Sequence, residues 1–227
     1  MTQIFYIGDS TVQFNKIDTY PQTGMSQALE RYTARDVVVR HHGKNGRSTK
    51  SFRDEGRFQP VLEGMQEGDF LFIQFGHNDE KQADPNRYAA PEGAYRDNLR
   101  YYIRCAKEKG AYPVLITPIA RRLFDEQGVF KPGSHGAYPE AVRIVGKEEG
   151  VPVADLTAIT EEYLAQLGDE PSKPLFVWPK DNTHLKPEGA VKLAGFLCQE
   201  LKRFGGVYEK LLYTPEEDTV VFKSDCL

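Results

Sequence analysis

Short apolar runs alternate along the chain with longer segments in which apolar residues recur every three or four positions. The runs are rich in β-branched and aromatic residues and are bounded by turn formers, so each predicts a buried strand. They cover residues 4–7, 37–40, 70–75, 114–117 and 151–155. The third run is apolar on both faces, as in a central parallel strand. Pro152 lacks a backbone donor, which places the fifth run at an edge of the sheet.

The segments with helical periodicity lie between these runs and after the last of them. They cover about residues 25–32, 57–65, 92–109, 139–147 and 158–167, and a long final helix opens at Pro187. Strands that alternate with helices favour a parallel sheet with helices on both faces. We therefore expect an α/β fold, a three-layer α/β/α sandwich around a central parallel sheet of about five strands. No linker or repeat divides residues 1–227, which predicts one domain; the tail after about residue 205, with a possible strand at 219–222, has no assigned role.

Composition and charge narrow the function classes. The chain has 227 residues and a net charge of −4, without an obviously basic face, which argues against nucleic acid or an anionic membrane as partner. Cys105, Cys198 and Cys226 are far apart and not in metal-type spacings, so we expect neither disulfides nor a metal. Cys105 and Cys198 lie in predicted helices, where we expect them to be core thiols. The first strand begins at about Ile4, and no apolar stretch is long enough to cross a bilayer. On this basis we expect a cytoplasmic protein that needs no cofactor.

Four polar loops carry the candidate chemistry. They hold Ser10, the pair Asn45-Gly46, the sequence Gly76-His77-Asn78-Asp79, and Asp181 with His184. The first three each follow a predicted strand, and the carboxyl ends of parallel strands meet at one edge of a sheet, where ligands bind. Pro187 disfavours the α conformation at Lys186, which keeps His184 in a loop before the last helix.

These residue types match the needs of acyl transfer. Such a reaction requires a nucleophile, a base, a group that orients the base, and donors for the oxyanion. Ser10 is the candidate nucleophile, His184 the base and Asp181 its orienting carboxylate. The backbone N–H groups of Ser10 and Gly46, together with the Asn78 side-chain amide, are the candidate oxyanion hole.

The same blocks resemble the SGNH (GDSL-type) hydrolase superfamily. Gly8-Asp9-Ser10-Thr11, Gly46, Gly76-His77-Asn78-Asp79 and Asp181-x-x-His184 occur in the order of that superfamily and span nearly the whole chain. Each block alone is weak, whereas the four together at predicted strand ends are specific. The resemblance implies a flavodoxin-like α/β/α sandwich with a serine nucleophile and the oxyanion hole described above.

A closer resemblance, to rhamnogalacturonan acetylesterases, is carried by residues 45–52, 55–58, 75–79 and 117–122. It implies removal of O-acetyl groups from pectic carbohydrate through an acetyl-serine intermediate, with a small acetylated oligosaccharide as partner. Arginine binds carboxylates in a bidentate manner, so Arg47, Arg121 and Arg122 are candidates for binding galacturonate. We expect the substrates to be imported oligosaccharides. Gly24-Met25-Ser26 departs from the Gly-Trp-Gly expected there, which leaves the shape of the nearby groove open.

Several residues have simpler interpretations. Ser10 alone is a common turn residue, and Asp181 with His184 could form a surface ion pair or half of a metal site. His41 and His42 could be metal ligands or an alternative base, but such residues more often pack in the core or form hydrogen bonds within a loop. His77, Asp9 and Asp79 are expected to brace their loops. Trp178 and Tyr20 could stack on a sugar ring or belong to the core, and Arg121 and Arg122 could simply be a solvated pair.

Two other functions compete with the acetylesterase. A lipid or thioester acyl hydrolase of the same superfamily would keep the catalytic residues but needs a long apolar acyl channel, which the arginine-bearing loops disfavour. A non-catalytic flavodoxin-like module for a nucleotide or flavin needs a phosphate-binding loop after the first strand. Asp9 places a carboxylate in that loop, where it would repel a phosphate.

Overall fold

The computed structural model describes residues 1–213 and contains one parallel sheet of five strands. The strands are β1 (Thr2–Gly8), β2 (Val37–His41), β3 (Phe70–Gln74), β4 (Tyr112–Ile116) and β5 (Val153–Ala154). Their order is β2-β1-β3-β4-β5, and every neighbouring pair is parallel. β5 lies at an edge, as Pro152 predicted. The possible strand at 219–222 and Cys226 lie outside the described residues.

Alternate residues of the central strands feed two separate cores. Along β1, Ile4 and Tyr6 join the core on one face of the sheet, whereas Phe5 and Ile7 join the core on the other. β3 and β4 alternate in the same way. Because successive strand side chains point to opposite faces, a strand buried on both sides must be apolar throughout, which is the pattern of these runs.

Helices cover both faces. They are α1 (Met25–Leu29), α2 (Thr49–Asp54), α3 (Gln59–Gly64), α4 (Ala94–Glu108), α5 (Tyr138–Glu149), α6 (Leu156–Leu167), α7 (Asp169–Ser172), α8 (Pro187–Phe204) and α9 (Gly206–Glu209). Short 3₁₀ turns occupy Ile17–Thr19 and Lys173–Leu175. Residues of α1, α6 and α8 pack into one core, and those of α2, α4 and α5 pack into the other. The predicted three-layer α/β/α sandwich is confirmed.

The main difference from the predicted elements lies between β2 and β3. One helical segment over 57–65 was expected, but two short helices, α2 and α3, flank a turn at Gly56. Gly56 has φ +68, a backbone conformation that favours glycine and ends α2, and Pro60 then lies in the first turn of α3. The N-terminus of α2 is capped by Ser48, whose hydroxyl accepts from Ser51 N–H.

The strand order defines where a ligand can bind. From β1 the chain first adds β2 on one side of β1 and then crosses to add β3 on the other side. The direction in which strands are added therefore reverses between β1 and β3. In open α/β sheets the crevice outside this switch point is the usual ligand site. The loop that holds Ser10 follows β1, and the loop from Gly76 to Asp79 follows β3. Among residues 1–213, no helix has the length and apolar character needed to span a membrane.

A buried hydroxyl fastens α2 to α4 beneath this edge. Tyr102 is fully buried, and its hydroxyl donates to the Thr49 carbonyl oxygen at 2.7 Å. Thr49 is the first residue of α2, so this bond helps to set the position of that helix. A buried carbonyl that loses its donor keeps the cost of its desolvation.

We expect Tyr102→Phe to lower the free energy of unfolding by about 1 kcal/mol, because the Thr49 carbonyl is left without this donor. Urea denaturation measures the change. Tyr112→Phe is the matched control, since Tyr112 is 39% exposed, and it should change stability by less than about 0.5 kcal/mol. Equal effects of the two substitutions would contradict the structural role of the Tyr102 hydroxyl.

Candidate active site

Hydrogen bonds to a buried carboxylate brace the loop after β1. Asp9 is fully buried, and its Oδ1 accepts from the Thr11 N–H at 2.9 Å and from the Thr11 hydroxyl at 2.8 Å. A Cβ on Gly8 would lie 2.5 Å from the Gln74 carbonyl oxygen, so the close approach of β1 and β3 requires glycine. The expected bracing role of Asp9 agrees with these bonds, which hold Ser10 at the carboxyl edge.

The structure brings Ser10, His184 and Asp181 together. Ser10 Oγ lies 2.9 Å from His184 Nε2, and His184 Nδ1 lies 3.0 Å from Asp181 Oδ2. Burial tends to raise the pKa of Asp181, but donation by the backbone N–H groups of His184 and Thr183 and by the imidazole outweighs it and lowers that pKa. A carboxylate at this position selects the imidazole tautomer with a proton on Nδ1 and leaves Nε2 to accept from Ser10.

The turn that carries Asp181 and His184 is tied to neighbouring loops. Asn182 O accepts from the Arg122 N–H at 2.8 Å, and His184 O accepts from the Val177 N–H at 2.8 Å. Lys186 is extended with ψ 172, as the following proline predicts, and α8 begins directly after it. The loop that carries the His184 imidazole is therefore held by backbone hydrogen bonds on both sides of the histidine.

Gly46 and Asn78 lie on adjoining loops. Gly46 has φ +75, which explains glycine at this position, and Asn78 is 3% exposed. Asn78 Nδ2 donates one proton to the Arg47 carbonyl oxygen at 3.0 Å, which ties the two loops together. The loop of Gly46 is joined to the serine loop as well, since Lys44 N–H donates to Gly8 O at 2.9 Å. Among the described residues, the Asn78 amide nitrogen donates no other hydrogen bond.

A buried polar network lies behind the serine loop. His77 Nδ1 lies 3.2 Å from Asp9 Oδ2, and the His77 ring meets the His135 ring edge-on at 4.4 Å between centroids. Burial lowers the pKa of His77, so the neutral ring is the form that donates to Asp9. His135 in turn contacts Glu80 at 3.1 Å and the Ile119 carbonyl at 2.8 Å. As expected of His77, its contacts are structural.

Asp79 fixes the N-terminus of α2. Its Oδ1 accepts from the Thr49 N–H at 2.9 Å and from the Thr49 hydroxyl at 2.5 Å. Its Oδ2 is buried and has no hydrogen-bond partner among the described residues. Burial is the dominant influence and raises the pKa of Asp79 to about 8 despite the bonds from Thr49. The side chain is therefore mainly protonated at neutral pH.

The three arginines predicted to bind substrate have internal partners. Arg122 is only 3% exposed, donates to Asp169 and Ser172, and stacks on Trp178 with 4.6 Å from its guanidinium carbon to the ring centroid.

Arg121 pairs with Glu80 and donates to the Ser134 carbonyl at 3.0 Å. Arg47 donates to Glu55 at 3.0 Å and to the Asn45 carbonyl at 2.9 Å. Because Arg122 is buried and its Nε and Nη2 are engaged by Ser172 and Asp169, the geometry favours an anchoring role for Arg122 over substrate binding.

The remaining aromatic and histidine candidates form no hydrogen bond with Ser10, His184 or Asp181 among the described residues. His41 contacts Ser26 Oγ at 2.9 Å and Glu30 Oε1 at 2.8 Å, and His42 stacks on Phe5. Trp178 and Tyr20 are 39% and 69% exposed, so sugar stacking stays a prediction for both. Within residues 1–213, no three His, Cys, Asp or Glu side chains are arranged to hold a metal ion.

Three side chains near the site were not found from the sequence. Gln13 Oε1 accepts from the Asn45 N–H at 2.6 Å, and Gln22 Nε2 donates to the Ser10 carbonyl at 3.4 Å. Arg87 Nη1 lies 3.5 Å from Asn78 Oδ1. Arg87 belongs to an irregular excursion over residues 80–92 that has no periodicity, so no local signal relates it to the site.

The fold and the site together define a hydrolase of the SGNH type, with a serine and a histidine at the switch point of a flavodoxin-like sheet. Residues 6–191 match the GDSL-like Lipase/Acylhydrolase family. The chain therefore belongs to this family, and it is a carboxylic ester hydrolase.

Individual relatives agree with this assignment. The chain is 38% identical over 215 residues to the rhamnogalacturonan acetylesterase RhgT of Bacillus subtilis, covering 89% of this chain and 90% of the relative. It is 29% identical to a rhamnogalacturonan acetylesterase of Emericella nidulans, covering 70% and 71% of the two chains. The crystal structure of Bacillus subtilis YxiM superposes with a TM-score of 0.80 at 28% identity, covering 90% of this chain and 57% of that one.

The raised pKa of Asp79 predicts a specific dependence of stability on pH. Between its ordinary value near 4 and about 8, the folded protein retains a proton that the unfolded chain has released. Ionisation therefore opposes folding, and this group makes stability fall as pH rises. Asp79→Asn removes the titration, so the unfolding free energy of the variant minus that of the parent should rise by roughly 1 kcal/mol per pH unit from pH 5 to 8.

Urea denaturation at several pH values measures this difference. Asp54→Asn serves as the control, because Asp54 is an exposed carboxylate of α2 that pairs with Lys50. Its difference from the parent should stay nearly constant over the same range. A constant difference for Asp79→Asn as well would contradict a protonated Asp79.

Proposed function

We propose that this protein is a serine esterase that removes O-acetyl groups from pectic carbohydrate through an acetyl-Ser10 intermediate. The hydrogen-bonded chain from Ser10 Oγ to His184 Nε2, at 2.9 Å, and from His184 Nδ1 to Asp181, at 3.0 Å, is the observation that carries the proposal. These are the contacts that a serine nucleophile, its base and the orienting carboxylate require.

In the first half-reaction, Ser10 Oγ attacks the carbonyl carbon of the acetyl group while His184 Nε2 takes its proton. The carbonyl oxygen becomes an oxyanion that accepts from the N–H groups of Ser10 and Gly46 and from Asn78 Nδ2. Asp181 stabilises the imidazolium. The tetrahedral intermediate then expels the sugar oxygen, which receives the proton from His184, and acetyl-Ser10 remains.

In the second half-reaction, a water molecule replaces the sugar. His184 Nε2 takes a proton from this water as its oxygen attacks the acetyl-Ser10 carbonyl, and the same donors bind the second oxyanion. Collapse of the intermediate breaks the ester bond to Ser10 Oγ, which recovers its proton from His184, and acetate leaves. The protons and bonds of both half-reactions balance with the chain's own residues and water.

Two observations support a pectic acetyl ester over a long acyl chain. Relatives at 38% and 29% identity are rhamnogalacturonan acetylesterases. The cavity that reaches Gly46 is lined mainly by charged and polar side chains, among them Arg47, Glu55 and Arg87, and such walls do not favour an aliphatic chain. A lipid or thioester acyl hydrolase would use the same three catalytic residues, so only a comparison of substrates distinguishes it from an acetylesterase.

We expect acetate release from acetylated rhamnogalacturonan oligosaccharides to exceed release from acetylated xylan and cleavage of a long-chain 4-nitrophenyl ester. Acetate is assayed directly and 4-nitrophenol by absorbance. Ser10→Ala should reduce every rate by at least about a thousandfold, because the nucleophile is lost, while circular dichroism stays as in the parent. Preference for the long-chain ester would overturn the pectic substrate class, and residual turnover near the parental rate in Ser10→Ala would overturn the acetyl-serine mechanism.

Asn78→Ala tests the oxyanion role separately. Loss of one donor that acts mainly in the transition state should lower kcat by about a hundredfold and leave KM within a few-fold of the parent. Steady-state kinetics on the preferred acetyl ester measure both constants. A change confined to KM would show that Asn78 binds the ground state and would remove it from the oxyanion hole.

A further inference from the structure

Gly46, one of the proposed oxyanion donors, lies at the centre of a tight turn. Arg47 N–H donates to the Lys44 carbonyl at 3.2 Å and closes a four-residue turn, with Asn45 and Gly46 as its two central residues. The peptide that joins these two residues carries the Gly46 N–H. Within residues 1–213, no hydrogen bond engages that N–H. Its direction therefore depends on what holds the rest of the peptide.

The glycine alone does not fix the orientation of this central peptide. Turns of types I and II differ mainly in the direction of the central peptide, which can reverse while the ends of the turn stay in place. Gly46 has φ +75, and glycine adopts positive and negative φ with similar ease. Reversal would direct the Gly46 N–H to the opposite side of the turn, so the orientation requires a contact from outside the turn's backbone.

The Arg47 guanidinium makes such a contact. Its Nη1 donates to the Asn45 carbonyl oxygen at 2.9 Å. A trans peptide is planar, with its carbonyl and its N–H on opposite sides, so a donor that holds the Asn45 oxygen also sets the direction of the Gly46 N–H. The positive charge next to the oxygen polarises the same peptide and makes its N–H a stronger donor.

The guanidinium is itself held at the end of α2. Arg47 Nε and Nη2 both lie 3.0 Å from Glu55 Oε2, and Glu55 is the residue at which α2 ends. Glu55 N–H donates to the Ser51 carbonyl at 3.0 Å, which ties the carboxylate to the helix. Arg57 Nε contacts the same carboxylate oxygen at 2.5 Å. Among the described residues, Arg57 makes no hydrogen bond to the turn.

The peptides on either side of the central one have other partners. Asn45 N–H donates to Gln13 Oε1 at 2.6 Å, and the Arg47 carbonyl accepts from Asn78 Nδ2 at 3.0 Å. Neither bond involves the Asn45 carbonyl or the Gly46 N–H, so both could persist if the central peptide reversed. In the described part of the chain, the Arg47 guanidinium is the donor that distinguishes the two orientations.

We propose that Arg47 is a positioning residue that directs the Gly46 N–H toward the oxyanion by holding the carbonyl of the same peptide. The inference rests on the proposed function, because it requires Gly46 to stabilise the oxyanion formed from an acetyl ester. It gives Arg47 a role different from the galacturonate binding expected from the sequence. Loss of Arg47 should slow both half-reactions, since the same donors stabilise both oxyanions.

The test measures hydrolysis of 4-nitrophenyl acetate, which carries no carboxylate for an arginine to bind. Arg47→Met should lower kcat by about tenfold, less than the loss of a whole donor, and leave KM within a few-fold of the parent. Arg47→Lys should recover part of the loss, because its ammonium can donate to the Asn45 carbonyl. Circular dichroism and urea denaturation check that each variant is folded.

Arg57→Met is the matched control. Arg57 pairs with the same carboxylate as Arg47, and the two side chains are 33% and 29% exposed. The substitution removes a cation from Glu55 and leaves the donor to the Asn45 carbonyl in place, so kcat and KM should stay at their parental values. An equal loss of kcat in both variants would overturn the inference, because the effect would then come from the ion pair with Glu55.

The remaining outcomes separate this inference from the proposed function. A parental kcat for Arg47→Met overturns the inference, and a higher KM confined to acetylated oligosaccharides with free carboxylates would make Arg47 a substrate-binding residue instead. If the parent and Ser10→Ala release 4-nitrophenol at the same rate, the proposed function fails and the inference fails with it. If Ser10→Ala alone is inactive, the acetyl-serine mechanism stands whatever Arg47→Met shows.

Discussion

The close parallel pairing of β1 with β3 is the constraint on which the site depends. Gly8 is in register with Gln74, and a Cβ at position 8 would collide with the Gln74 carbonyl. This pairing sets the loop of Ser10 beside the loop of Asn78 at the switch point of the sheet. The histidine comes from a segment 174 residues later in the chain, directly before α8, and α8 packs into the core on one face of the same sheet.

Burial of polar side chains has two different effects at the carboxyl edge of the sheet. Asp9 and His77 are both buried, and their contact, with the bonds from Thr11, braces the serine loop. Asp79 is buried with one oxygen lacking a described partner, and burial raises its pKa although the bonds from Thr49, which fix the start of α2, act in the opposite direction. Asp9, His77 and Asp79 are thus expected to act through geometry, whereas Ser10 and His184 stay partly exposed.

The arginines show why side-chain type and position along the chain are insufficient to assign a role. Arg121 and Arg122 follow β4 and were expected at the strand ends, where a substrate could meet them. Glu80, Asp169 and Ser172 come from distant segments and occupy their guanidinium groups. Arg87 lies in a segment without periodicity, yet the fold of that segment places it against Asn78. Whether an arginine can contact a substrate therefore depends on which carboxylates and hydroxyls the fold places against its guanidinium group.

The sequence by itself determined the sheet, its approximate strands, the edge position of β5 and the family, because apolar runs and the four polar blocks are local signals. Proline before α8 also determined that His184 stands in a loop. Only the tertiary structure decided the protonation of Asp79 and the partners of the arginines. These properties arise from burial and from contacts between residues far apart in the chain, and no local pattern of residues records such contacts.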